Sequence, residues 1–412
     1  MERQYKDSGV AWASQIPFDW KIIRGKNLLK LMNRPVRETD DVVTCFRDGE
    51  VILRSERRTE GFTMSDKEIG YQGINKGDVV IHGMDGFAGA MGVSKSTGKG
   101  SPVLVVCNPK EDDDSRYIVY YLRTLAMNNV FVALATGIRE RSCDLRWNKI
   151  SDLPFIRPKA DEQKSIADFI DAKIDEIDGL IALQEQMITH LTYYKQSVIT
   201  EAVTKGLNPN AQLVPSGINW IGDVPKGWEI CRFKSYISLV KEKVNDEALP
   251  KINLENIESY SGKFIETDSK YEGEGYLFKP GDVLFGKLRP YLAKVFVPNY
   301  TGQAVGDFYV FRPSSMIETN FLRYAILSDS FISNVNSSTY GTKMPRANWD
   351  YISTVYITVP SKDEQLAISE YLDTKCGEID RLIGTKRQKI ETLKEYKKSV
   401  IYEAVTGKTI IE

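Results

Sequence analysis

Basic residues set beside glycine and serine recur in two parts of this sequence. In the first half they are Arg54, Arg57 and Arg58 in LRSERRTEG, Lys95 and Lys99 in SKSTGKG, and Arg139 and Arg141 in GIRERS. In the second half they are Lys287 and Arg289 in GKLRPY, and Lys343 and Arg346 in YGTKMPR, a phrase that Tyr340 opens. Arginine and lysine on short loops neutralise phosphate and reach base edges, so the chemistry these residues could do is the binding of a nucleic acid. Any one such cluster is more often a solvated surface; the presence of clusters in both halves gives the pattern its weight.

Catalytic constellations are missing by contrast. GVSKSTGKG resembles a phosphate-binding loop, but its first glycine lies one residue too far away and Gly100 stands where the motif needs the hydroxyl that holds magnesium. The terminal Gly407-Lys408-Thr409 lacks the opening glycine, because Tyr402 occupies that position. GMDGFAGAMG has glycines without the spacing that cradles a dinucleotide. Only two histidines exist, His82 and His190, far apart in sequence, which argues against a histidine metal site or triad. No catalytic residue and no metal ligand is assigned. The expectation is a protein that binds rather than transforms.

Composition bounds the partner. The 412 residues carry a formal net charge of −1, with 27% charged. That balance argues against a small nucleic-acid binder held by charge alone, while leaving room for local basic faces or a partner's help. Cys45, Cys107, Cys143, Cys231 and Cys376 form no C-x-x-C pair and read as reduced core residues of a cytosolic protein. No apolar run approaches the ~18 residues of a membrane span, so a soluble cytoplasmic protein is expected.

The loops need elements to hold them, and the chain writes its elements twice. DEQKSIADFIDAKIDEIDGLIALQEQMITHLTYYKQSVITEAVT at 161–204 is repeated, gapless and about half identical, as DEQLAISEYLDTKCGEIDRLIGTKRQKIETLKEYKKSVIYEAVT at 363–406. In both copies apolar residues step by four and three, the spacing of a coiled-coil seam, with Ile177, Gln184 and Leu191 matched by Ile379, Lys386 and Leu393. Polar residues recur at the same seam positions, Gln184 with Lys386 and Lys195 with Lys397, a device that costs stability and fixes register. Such helices need partners, and each is the other's natural one. An antiparallel pair under a pseudo-twofold would bring Gln184 near Lys386. Apolar residues just outside the seam, such as Leu180, Met187, Tyr194, Leu382 and Tyr396, widen the face and leave surface for a further partner.

A second phrase is duplicated too: SGVAWASQIPFDWKI from Ser8 and SGINWIGDVPKGWEI from Ser216, whose tryptophans read as a packed clasp. Between each lead-in phrase and its helix, residues 25–158 and 233–360 hold short apolar runs punctuated by glycine and proline, the mark of mixed α/β domains. GDVVIHGMDG recurs as GDVLFGKLRP and RWNKISDLPFIRP as NWDYISTVYITVP, while the rest diverges. The expected organisation is α+β: a first domain at 1–160, a helix at 161–206, a second domain at 207–362, and a helix with its tail at 363–412. The two pseudo-symmetric α/β domains would be separated by an antiparallel coiled coil.

At these residues the sequence resembles the DNA-specificity subunits of type I restriction-modification systems. The resemblance rests on the S-G-x-x-W-x-x-x-x-P-x-x-W phrase at Ser8 and Ser216, the E-Q helix start at Glu162-Gln163 and Glu364-Gln365, and the S-V-I-x-E-A-V-T ending at Ser197 and Ser399. Family members often carry a fuller proline-rich run before the E-Q, which here is reduced to PKADEQ and PSKDEQ. The resemblance implies a non-catalytic subunit whose two target-recognition domains each read half of a bipartite site in double-stranded DNA, with the helices as spacer. It further implies methyltransferase subunits, two of them, docked through the helices, and a restriction/translocase subunit. S-adenosylmethionine, ATP and magnesium would then belong to those partners and not to this chain. The rival reading is a coiled-coil adaptor whose two globular domains bind proteins.

Overall fold

The structure, a computed structural model, describes residues 3–57, 69–133, 145–339, 341 and 343–411. The chain divides into two compact units, one of residues 1–183 with 389–412, the other of residues 184–388. Each holds one globular domain together with part of both long helices.

In the first unit the lead-in forms a hairpin, Tyr5–Asp7 against Gln15–Pro17. The next strand, Lys21–Arg24, pairs antiparallel with Pro154–Arg157, so the domain interior leaves and returns at one place. That interior is built on a four-stranded antiparallel sheet in the order Leu29–Leu31, Leu104–Pro109, Val79–His82, Met91–Val93. The run Val79, Val80 and Ile81 is buried on both faces, as a central strand of β-branched residues should be. Across it lies the helix Ser115–Met127, capped by Asp114 and burying Tyr117, Ile118, Tyr121, Leu122 and Leu125 at helical spacing.

The second unit repeats this frame. Glu229–Arg232 pairs with Tyr356–Val359, and the sheet order is Ile237–Leu239, Phe308–Pro313, Val283–Gly286, Val295–Phe296. Duplicated sequence has become duplicated topology. The units differ beside the frame. The second adds a four-stranded sheet with one parallel pair, Lys251–Ile252 on Gly302–Val305, where the first has two separate ribbons, Val43–Cys45 with Val51–Leu53 and Gln72–Ile74 with Gly98–Gly100.

The long helices run from Ala160 to Lys205 and from Lys362 to Val405. At about 1.5 Å per residue each is some 65–70 Å long. In each unit they run antiparallel. In the first, Lys397 Nζ meets Asp178 at 2.8 Å, and Ile166, Ala167 and Ile170 share a core with Ile401, Ala404 and Val405. In the second, Lys195 Nζ meets both oxygens of Asp380 at 2.8 and 3.0 Å, and Ile199, Ala202 and Val203 share a core with Ile368, Leu372 and Cys376. The polar seam lysines are thus matched by aspartates one position off the opposite seam. Ile177, Gln184 and Ile379 are buried, whereas Leu191, Lys386 and Leu393 are half-buried. The register set by Lys195 and Asp380 brings Lys386 level with Thr189, not with Gln184, because the ion pair and not the seam's midpoint sets the alignment. The Gln184 Oε1 atom is buried with no hydrogen-bond partner among the described residues.

The motifs that mark the helix starts fasten them to the domains. Trp20 is fully buried and its indole donates to Glu162 at 2.8 Å, while Trp228 donates to Glu364 at 3.4 Å. Gln163 accepts from the Asp114 amide and donates to Pro158 O; Gln365 accepts from the Glu318 amide and donates to Pro360 O. The helix ends are fastened too. Gly407 follows the second helix at φ +71°, and a Cβ there would lie 2.5 Å from Pro17 and 2.9 Å from Trp20. Gly407→Ala should therefore cost about 3 kcal/mol, from left-handed backbone and overpacking together. Gly217→Ala, at φ +74° but with open space around it, should cost only about 1 kcal/mol. Denaturant titration of the two variants reads the difference, and equal losses would remove the packing role given to Gly407.

Candidate nucleic-acid interface

In the first unit the basic residues gather at the Val43–Cys45/Val51–Leu53 ribbon. Its turn is closed by Phe46 N donating to Glu50 O at 2.8 Å, and the ribbon runs directly into the short helix Arg54–Arg57. The turn after Met91–Val93 lies alongside, because the Lys95 amide donates to Val51 O at 2.9 Å. Arg57 and Lys95 therefore converge on one carboxylate, Glu50, at 3.2 and 3.1 Å. Arg57 also meets Asp48 at 2.6 Å and lies over the Phe46 ring. That contact with Arg57 holds the Asp48 carboxyl below its ordinary range. Arg54 turns aside, its Nε donating to Thr44 at 3.2 Å, and Lys99 sits in the other ribbon opposite Gly73. Arg58, Arg139 and Arg141 lie outside the described residues.

The second unit builds its cluster from two loops zipped by backbone hydrogen bonds. Arg289 N donates to Pro345 O at 2.8 Å, and Ala347 N to Lys287 O at 2.8 Å. Asp307 then receives Arg346 on both oxygens, at 3.0 and 3.2 Å, and Lys287 at 3.7 Å. Lys287 also rests over the Tyr309 ring, whose hydroxyl donates to Ala347 O at 3.1 Å. Arg289 and Lys343 project into solvent. The Arg289 backbone sits at φ +51°, a left-handed conformation that side chains other than those of glycine, asparagine and aspartate rarely adopt. Tyr340 lies outside the described residues.

Each cluster can present two or more cations to a polyanion, and each also contains a carboxylate, which basic residues in the sequence do not announce. Asp48 and Glu50 stand in the phrase RDGE, a few residues before LRSERR, whereas Asp307 in GDF is far in sequence from both loops it joins, so proximity in sequence marks only the first pair. Arg123 carried no such signal, since it belongs to a helix with core spacing. It is half-buried under the Phe46–Glu50 turn, its Nε without a partner among the described residues, and a Cβ on Gly49 would lie 2.2 Å from its guanidinium. Burial lowers its pKa.

Burial pushes the Cys45 and Cys107 thiols up to about 12, and Cys231 and Cys376 are buried as well; Cys143 lies outside the described residues. Burial lowers the pKa of His82, whose Nδ1 accepts from the Asp85 amide at 3.0 Å. Among the described residues no group of three or more His, Cys, Asp or Glu side chains could hold a metal ion, and no helix is long and apolar enough to cross a membrane.

Residues 226–394 match the family model of the type I restriction modification DNA specificity domain. Over 96% of its length the chain is 24% identical to the type I restriction enzyme MjaVIII specificity subunit of Methanocaldococcus jannaschii, covering 94% of that protein. It is 22% identical to the type I restriction enzyme EcoDI specificity subunit of Escherichia coli, over 96% of this chain and 90% of that one. Its fold is shared with a chain solved in work on complex assembly and conformational transition of the type I R-M system, at a TM-score of 0.71, 15% identity and coverage of 96% and 99%. It is shared as well with the HsdS subunit from Thermoanaerobacter tengcongensis, at a TM-score of 0.53 and 15% identity, covering 96% and 98%. The resemblance read from the sequence, to type I specificity subunits, therefore holds along essentially the whole chain.

Proposed function

We propose that this chain is the sequence-specificity subunit of a type I restriction-modification complex, and that each of its two domains reads one half of a split target in double-stranded DNA. The observation that carries the proposal is one four-stranded frame used twice, with diverged loops that in each copy bring cations together at the surface. A shared frame with different loops suits two readers of different sequences. The helices act as the spacer between half-sites. They also dock methyltransferase subunits, for which the exposed Tyr194 and Tyr371 offer apolar surface beside a cavity of about 670 Å³ that Leu207 and Leu213 help to line. Catalysis, with its S-adenosylmethionine, ATP and magnesium, resides in the methyltransferase and translocase subunits, and the complex works in the cytoplasm.

The test is selection from a random duplex pool by the chain co-purified with its methyltransferase subunits. One split motif should be enriched. A protein-binding adaptor would enrich none, and that result would overturn the proposal.

Arg289 gives a sharper expectation. Its left-handed backbone costs roughly 1 kcal/mol that glycine would not incur, so a side chain is kept there at the expense of stability. Arg289→Gly should leave the melting temperature unchanged or higher and weaken binding to the enriched motif about tenfold, the low end of one lost base contact. Unchanged affinity would remove Arg289 from the interface.

A further inference from the structure

The two cation clusters share a design that the repeat does not explain. In the first unit Glu50 sits between Arg57 and Lys95, and in the second Asp307 sits between Arg346 and Lys287. The positions are not equivalent. Asp307 directly precedes the strand Phe308–Pro313 of the repeated sheet, whereas Glu50 belongs to the ribbon turn outside it. The aligned strand of the first unit, Leu104–Pro109, is preceded by Val103. The two carboxylates therefore do not correspond under the repeat, and each joins two cations that are distant in sequence.

These are not core ion pairs. Asp282, bound by Arg312, is 2% exposed, as is Asp78, bound by Arg34, and both belong to the repeated frame. The side chains of Glu50 and Asp307 are 33% and 24% exposed, and those of their partners Lys95 and Arg346 are 68% and 52% exposed. Pairs this open to water contribute little to stability. Their larger effect is on what the cations can do elsewhere. A phosphate that approaches Arg346 must displace Asp307 or share the guanidinium with it, and the same holds for Arg57, Lys95 and Glu50.

We propose that Glu50 and Asp307 are specificity-determining carboxylates that occupy the DNA-facing cations of each domain and so suppress binding to duplex lacking the target. The inference rests on the reading of these clusters as the DNA interface. On the target, base contacts offset the release of the cations from their carboxylates. On other sequences nothing offsets it, and phosphate attraction alone meets a site whose positive charge is partly cancelled. Each carboxylate thereby lowers non-specific affinity more than specific affinity, and discrimination rises.

The experiment measures binding of the chain, co-purified with its methyltransferase subunits, to the enriched motif and to a scrambled duplex between about 50 and 200 mM salt. Asp307→Asn and Glu50→Gln should each raise affinity for the scrambled duplex severalfold at low salt. Each should also steepen the fall of log affinity with log salt by about 0.9, the signature of one further neutralised phosphate. Affinity for the enriched motif should change less, so the ratio of the two falls. Glu391→Gln, which removes the same charge from an exposed pair with Lys394 on the second long helix, should change neither slope nor ratio. A purely structural role for the carboxylates would lower both affinities, and that result, or an unchanged slope with the wild type binding normally, overturns the proposal. Failure of the wild-type complex to bind any duplex would instead overturn the reading of the interface, and the proposal with it.

Discussion

Deleting one heptad, residues 178–184, from the first long helix is expected to reduce methylation at the native split site by at least about a hundredfold, while the two half-sequences stay the same. Geometry alone produces a large loss. Seven residues at 1.5 Å shorten one helix by about 10 Å, which on B-form DNA is some three base pairs and close to a third of a turn. A domain set off by that much meets the wrong bases, and three mismatches at about 1–3 kcal/mol each account for the expected loss. Energetics point the same way. Lys397 loses Asp178, and the antiparallel pair cannot restore its seam without separating Lys195 from Asp380. Lys195 is 9% exposed, and leaving such a charge without its partner costs about 3 kcal/mol. Any remaining activity should appear at a target with a shorter gap. Bisulfite-free sequencing of modified adenines in cells carrying the deletion gives the answer, and full methylation of the native site would end the spacer role.

The second large effect concerns which bases are read. Exchanging residues 25–158 for the corresponding region of a type I specificity subunit should replace one half of the recognised sequence completely and leave the other half and the gap unchanged. The first domain is suited to the exchange because it opens and closes on one pair of strands, Lys21–Arg24 and Pro154–Arg157, joined by backbone hydrogen bonds that any strand can supply. The graft must also provide the acceptor and donor that hold the helix start, here Asp113 and the Asp114 amide on Gln163. Loss of both half-sequences at once would show that the domains do not read independently.

How much of this was legible in the sequence follows the range of the interactions involved. The long helices were, because a heptad seam is a local pattern and both copies carried it without proline. The frame was, since GDVVI and GDVLF mark the same strand in each half and the lead-in tryptophans bind the glutamates of the E-Q starts. The seam's register was not. Asp178 and Asp380 stand off the apolar positions, and nothing local tells a lysine on one helix which aspartate on the other will hold it. The carboxylates of the basic clusters escaped for the same reason, since Glu50 and Lys95, or Asp307 and Arg346, are brought together only by strand pairing across some forty residues. Arg123 was hidden by its helix, where an arginine among tyrosines and leucines looks like solvated surface until the Phe46–Glu50 turn is packed over it. The additional four-stranded sheet of the second domain had no repeat to announce it, and two of its strands are only two residues long.

The most direct measurement of the central claim is a map of every methylated adenine in a genome exposed to this chain together with its methyltransferase subunits. One motif of two short defined sequences, separated by a gap of fixed length and unspecified bases, is expected, and it should be absent when the chain is withheld. A continuous motif, or an identical pattern of methylation without the chain, would contradict it.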